Sequence, residues 1–108
     1  TRRSSDLVVR AYFAAISHVD HEIGRFLAAL EDSPLAPNTT VIFLSDNGFN
    51  LGNHDSFHKM SQWDSAAHVP LGIWSPRMAQ GRVIEMPVSL HNLPSTIMDL
   101  AGLRRTYA

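Results

Sequence analysis

The chain of 108 residues contains no cysteine. Disulfides are therefore excluded within it, although the compartment is left open, because larger secreted domains need none. Charge is also scarce. Charged residues make up 18% of the chain and the net charge is −1. Neither the basic footprint of a nucleic-acid binder nor that of a protein held on an anionic membrane is present, so neither partner is expected. No apolar run approaches the length of a membrane span, and Thr1–Asp6 lacks the apolar core of a signal peptide. Internal repeats and low-complexity segments are missing as well. The chain does not begin with Met. It reads as a piece of something larger, in which case absent targeting signals say nothing about location. By length it is at most one domain, taken as a single partial domain over 1–108.

What is present centres on 40–59. Val41-Ile42-Phe43-Leu44 is an unbroken apolar run that ends abruptly in Ser45-Asp46-Asn47-Gly48. Such a run, bounded by turn residues, predicts a strand buried on both faces. In open α/β sheets, ligands sit just beyond the carboxyl ends of such strands, where Asp46 and Asn47 fall. Two hard oxygen donors followed by a glycine suggest a metal site. The competing reading is a tight Asn-Gly hairpin turn, which requires a second strand after Gly48. Phe49–His54 is a poor strand, with two Asn and a Gly. An EF-hand loop fails too, since Gly48 stands where the next ligand belongs.

On either side lie candidate helices. Over Ser4–Leu30, apolar residues recur at three- and four-residue steps, the period of one buried stripe. Ser4 or Ser5 is the expected N-cap, with Asp6 in the first turn and Asp32-Ser33-Pro34 as the stop. Asp20, His21 and Glu22 point in different directions on such a helix and form no site. A turn-rich loop then leads to the first strand, an arrangement of the kind that builds parallel sheets. Asn38-Thr39-Thr40 fits the N-glycosylation pattern, a triplet common by chance. Further on, Ser61–Ala67 predicts a short helix capped by Ser61. Leu71–Trp74 predicts a second buried strand, 78–81 a turn, and Arg82–Met86 a short strand or extended approach. A final helix is expected over Asn92–Ala101, with Pro94 in its first turn, Gly102 as its stop, and Leu93, Ile97, Met98 and Leu100 as core.

From Tyr12 to Leu103 the chain resembles the carboxyl-proximal part of the catalytic domain of type I sulfatases, in the alkaline-phosphatase-like superfamily. The resemblance rests on Ala14–Asp20 with Ile23-Gly24-Arg25, then on Thr40–Gly48, Leu51-Gly52-Asn53-His54 and Lys59. It continues through Trp63-Asp64, His68-Val69-Pro70-Leu71, Pro87–Leu90 and Leu93–Gly102. The Leu-Gly-Asn-His, Trp-Asp and His-Val-Pro-Leu pieces look nearest to iduronate-sulfatase-like enzymes. The fold class this implies is α/β, a fragment of a sandwich with a mostly parallel central sheet flanked by helices.

A sulfate ester is a poor electrophile whose anionic oxygens repel nucleophiles. Its hydrolysis needs positive charge at those oxygens, a strong nucleophile and an acid for the leaving alcohol. The resemblance implies a calcium ion for the first and a formylglycine for the second. Asp46 and Asn47 match metal ligands, and their oxygen-only donors suit calcium, where related phosphatases often carry His and bind softer metals. Lys59 matches the lysine that contacts sulfate near the leaving oxygen. His54 is a candidate catalytic or substrate-contacting group, with backbone bonding as its structural alternative. His58 is a weaker candidate for the cleft. His68 occupies a position where many relatives carry Arg and is a candidate substrate contact, while His91 reads as structural.

No formylglycine signature of the Cys-x-Pro-Ser-Arg or Ser-x-Pro-Ser-Arg form is present, and the first pair of metal-binding aspartates is missing. Both are expected upstream, outside this chain. The remainder of the catalytic domain is thus an expected partner, the substrate a sulfated sugar or small sulfate ester, and the chain alone inactive. The family suggests a periplasmic, secreted or lysosomal setting, with the cytoplasm left open. Two alternatives stand: a phosphonate or phosphate ester hydrolase of the same superfamily, and a non-catalytic α/β interaction module.

Overall fold

The computed structural model describes residues 2–78 and 81–103. They fall into two compact units that divide after Pro76, and each is taken by itself. In the first, helix α1 spans Arg2–Glu31. It begins upstream of Ser4, so Ser4 and Ser5 lie inside its first turns and do not cap it. Arginine is a good helix former, and Arg2 and Arg3 extend the helix beyond the expected cap. Its end is built locally. The Ser33 hydroxyl donates to the Leu30 carbonyl at 2.7 Å and accepts from the Leu35 N–H at 3.2 Å, a serine turn that closes the helix just before Pro34. A single 3-10 turn, Ala36–Asn38, then leads to β1, Val41–Leu44.

The stripe on α1 keeps its expected period but is not buried. Tyr12, Ile23, Leu27 and Leu30 are half-covered, while Leu7 and Phe26 are 64% and 66% exposed. Among the described residues the only apolar side chain that is buried outright is Ala66. Exposed apolar faces of this kind mark contact surfaces.

Strand β2 spans Leu71–Trp74 and pairs with β1 in antiparallel register, Val41 opposite Trp74 and Leu44 opposite Leu71. The expected parallel arrangement is therefore not the one these two strands adopt. A parallel pair needs a crossover, usually a helix of some length. The only α-helix between β1 and β2 is α2, Asp64–Ala67, a single turn. Nor are the strands buried on both faces. Phe43 and Leu44 are exposed, and β2 alternates half-buried Leu71 and Ile73 with exposed Gly72 and Trp74, as expected of a sheet covered on one side. At the open end of the ladder the Thr40 hydroxyl bonds that of buried Ser75 at 3.0 Å.

Helix α2 starts at Asp64, after an uncapped Trp63, and not at Ser61. The Ser61 hydroxyl is engaged elsewhere, by the side chain of Asn50.

In the second unit, 82–85 form no regular element, and Val83 and Ile84 are exposed. The turn expected at 78–81 includes residues 79 and 80, which lie outside the described set. A 3-10 turn, Leu90–Asn92, leads into α3, Leu93–Leu100. Within α3, Leu93, Met98 and Leu100 are half-buried and Ile97 is exposed. Its stop is complete: the Gly102 N–H donates to Asp99 at 3.1 Å and the Leu103 N–H to Met98 at 2.9 Å. These are the two bonds of a Schellman motif, with Gly102 at φ 69°. A methyl group added at Gly102 meets no atom within 4 Å, so Gly102→Ala isolates the cost of a left-handed alanine. Chemical unfolding of the intact protein is expected to register about 1 kcal/mol of destabilisation. An unchanged midpoint would show that the helix ends another way.

Candidate metal and anion site

Immediately after β1 the chain turns on itself. The Ser45 hydroxyl donates to the Asn47 carbonyl at 2.7 Å, and the Asn47 amide NH2 donates to the Gly48 carbonyl at 2.9 Å. With its nitrogen spent on the backbone, the Asn47 side chain presents Oδ1 as an acceptor. Asp46 is exposed and forms no hydrogen bond or ion pair among the described residues. Two adjacent oxygen donors without competing partners fit a hard cation. They are not a full set. No group of three or more His, Cys, Asp or Glu side chains that could hold a metal occurs among the described residues, and calcium takes about six to eight oxygens.

The antiparallel register brings a second segment to the same end of the sheet. Leu44 faces Leu71, so His68, Val69 and Pro70, which enter β2, lie beside Ser45, Asp46 and Asn47, which leave β1. The Gly48 N–H donates to the Ala66 carbonyl at 2.9 Å, fastening the turn to α2. Gly48 must be glycine, because a Cβ there would stand 2.1 Å from the Ser65 carbonyl oxygen. Phe49, the next residue, stacks on Tyr12 of α1 with ring centroids 5.5 Å apart. The turn is thereby held between two helices.

Beyond it, the long loop to α2 has few backbone bonds of its own and is gathered on one side chain. Asn50 is completely buried. Its amide nitrogen donates to the hydroxyls of Ser61 at 2.9 Å and Ser56 at 3.3 Å. Its amide oxygen accepts from the Ser65 hydroxyl, and its backbone N–H donates to the His58 carbonyl at 3.1 Å. Both amide hydrogens and the amide oxygen are thus used, which is what makes a buried asparagine tolerable. From strand propensity alone Asn50 is only a poor strand residue. The available signal was a lone amide between Phe49 and Leu51, followed by serines at 56, 61 and 65, in a loop with no regular structure to satisfy its polar groups.

Of the other candidates, Lys59 is exposed on this loop, with no ion pair among the described residues. Its flanks are fixed, since His58 binds Asn50 and the Ser61 N–H donates to the Lys59 carbonyl at 2.9 Å. His54 adopts a left-handed backbone at φ 54°, followed by Asp55 at φ 53°. Two such residues store roughly 1 to 3 kcal/mol each. The His54 ring stacks on Trp63, centroids 3.8 Å apart and planes at 14°, so one ring face is committed to the indole while its edge nitrogens stay available. His58 is exposed. His68 is exposed too, its Nδ1 3.6 Å from Asp64, a surface pair of little energetic weight. His91 lies in the second unit, within reach of the Ser89 hydroxyl.

Comparison with known proteins identifies the family. The sulfatase family profile matches residues 2–103. A protein described as a sulfatase from Formosa agariphila is 39% identical over 97 residues, covering 90% of this chain and 19% of the relative. Arylsulfatase K of Danio rerio is 38% identical over 95 residues, covering 88% and 18%. Human iduronate 2-sulfatase is 42% identical over 78 residues, covering 72% and 14%. The chain therefore spans less than a fifth of the length of these relatives. No solved structure matches it significantly. With nearly all of its length matched by one profile, and relatives this similar across most of it, the chain belongs to the sulfatase family.

Proposed function

We propose that in the intact protein this chain supplies part of the site of a sulfuric ester hydrolase acting on a sulfated sugar or a small sulfate ester. Asp46 and Asn47 would supply two of the ligands of a calcium ion, whose positive charge, when bound, would offset the negative charge of the sulfate oxygens. Lys59 donates to a sulfate oxygen on the leaving-group side. The edge nitrogens of His54 and the imidazole of His68 contact substrate. The nucleophile, a formylglycine, the remaining calcium ligands and the cover for the apolar face of α1 come from the rest of the catalytic domain, so the chain alone is inactive. The observation that carries this reading is the pairing of two uncommitted oxygen donors at the end of β1 with family membership across 2–103.

The test is sulfate release by the intact protein from para-nitrophenyl sulfate and a panel of sulfated sugars, against the matching phosphate esters. Activity on at least one sulfate ester is expected to vanish after EGTA treatment and return with calcium. Faster turnover of the phosphate esters would instead assign the protein to a phosphate or phosphonate hydrolase. Inertness towards both classes would favour a non-catalytic interaction module.

A further inference from the structure

We infer that Asn50 is a positioning residue, which sets where Lys59 stands relative to the Asp46-Asn47 turn. This rests on the proposed role of Lys59 and goes beyond it. Asn50 holds Lys59 from both sides. Its backbone N–H binds the carbonyl of His58, the residue before, and its amide nitrogen binds the hydroxyl of Ser61, two residues after. Ser61 in turn donates its own N–H to the Lys59 carbonyl. On the opposite side, the amide oxygen of Asn50 takes the Ser65 hydroxyl. Ser65 precedes Ala66, whose carbonyl receives the Gly48 N–H, and Gly48 directly follows Asn47. A continuous run of short polar contacts and peptide links therefore joins the cation end of β1 to the lysine loop, and the one fully buried polar side chain in that run is Asn50.

The chemistry explains why such a clamp is needed. Lysine carries its charge on a flexible four-carbon stem, so only its backbone can be fixed in advance. The loop bearing Lys59 has no helix or strand between Asp55 and Asp64. Without an internal tether, the ammonium would sample many positions, and a displacement of about 1 Å at a reacting centre can cost on the order of 10²-fold in rate. A buried asparagine bridging serines provides that tether through directional bonds, where an apolar side chain would give only contact.

A double-mutant cycle in the intact protein, followed by kcat/KM on its best sulfate ester, separates this role from simple stabilisation. Asn50→Ala is expected to lower kcat/KM about 10²-fold when Lys59 is present. In a Lys59→Ala background the same change is expected to cost less than about threefold, because the group it positions is gone. Ser61→Ala removes the same contact from a less buried partner, and it runs the same cycle should Asn50→Ala fail to fold. Equal losses in both backgrounds overturn the inference while leaving the function intact. A Lys59→Ala variant as active as the parent overturns both this inference and the assigned role of the lysine.

Discussion

Asp46→Ala in the intact protein is expected to lower kcat/KM on a sulfate ester by about 10³-fold or more and to strip calcium from the purified enzyme. The magnitude follows from what the carboxylate does. A cation at the sulfate oxygens contributes several kcal/mol to the transition state, and each 1.36 kcal/mol is about tenfold in rate. Asp46 is the only charged donor on the turn after β1, and its carboxylate has no partner within the described residues. Its removal therefore breaks no internal bond, and the melting temperature in the presence of EGTA should match that of the parent under the same conditions. Asp46→Asn keeps an oxygen donor but loses the charge, and should fall between the two in calcium affinity. The decisive measurements are metal content by elemental analysis and kcat/KM at saturating calcium. A variant with full calcium occupancy would remove Asp46 from the ligand set and with it the reading of this turn.

Much of this turn was legible in the sequence, because it depends on local chemistry. An apolar run closed by Ser45-Asp46-Asn47-Gly48 specifies a strand that ends where it does, and Gly102 after Leu93–Leu100 specifies a helix stop that the hydrogen bonds reproduce. Strand direction was not legible. The identity of the segment that pairs with β1 is set by contacts 27 to 33 residues apart, and Val-Ile-Phe-Leu reads the same whether its neighbour runs with it or against it. Burial failed for a related reason. The period of α1 says which side chains would share a face, yet a face is buried only if something lies against it, and Leu7, Val19 and Phe26 meet no such cover among the described residues. Asn50 escaped notice because pattern rules weigh residues by the element they favour. In a loop without regular structure the order comes from one side chain and its hydroxyl partners, a relation with no period. The same blindness applies to Ser61, which the capping rule assigned to α2 and the structure assigns to Asn50.

Gly48→Ala is expected to damage the site as severely as the loss of a functional side chain, though glycine contributes none. The turn after β1 lies flat against the backbone of 65–66. A Cβ at Gly48 would sit 2.1 Å from the Ser65 carbonyl oxygen, 3.0 Å from its carbonyl carbon and 3.1 Å from the Ala66 Cα. All three neighbours are main-chain atoms and cannot swing aside as a side chain would. Relief requires the whole turn or the start of α2 to move by roughly 1 Å, since interiors are packed too closely to absorb the overlap locally. The Gly48 N–H bond to Ala66 is stretched by the same movement, and Ser65 carries the hydroxyl that binds Asn50. One methyl group thus disturbs both the Asp46-Asn47 turn and the clamp around Lys59. The expected cost is about 1 to 3 kcal/mol in stability together with a loss of roughly 10²-fold in kcat/KM. Saturating calcium should restore little of that activity, because the lysine side of the site is displaced as well as the ligands. A stabilising substitution elsewhere should recover the melting temperature without recovering kcat/KM. If activity returned in step with stability, the contact between Gly48 and Ser65 would be a matter of folding alone, and the turn would not need its present distance from α2 to work.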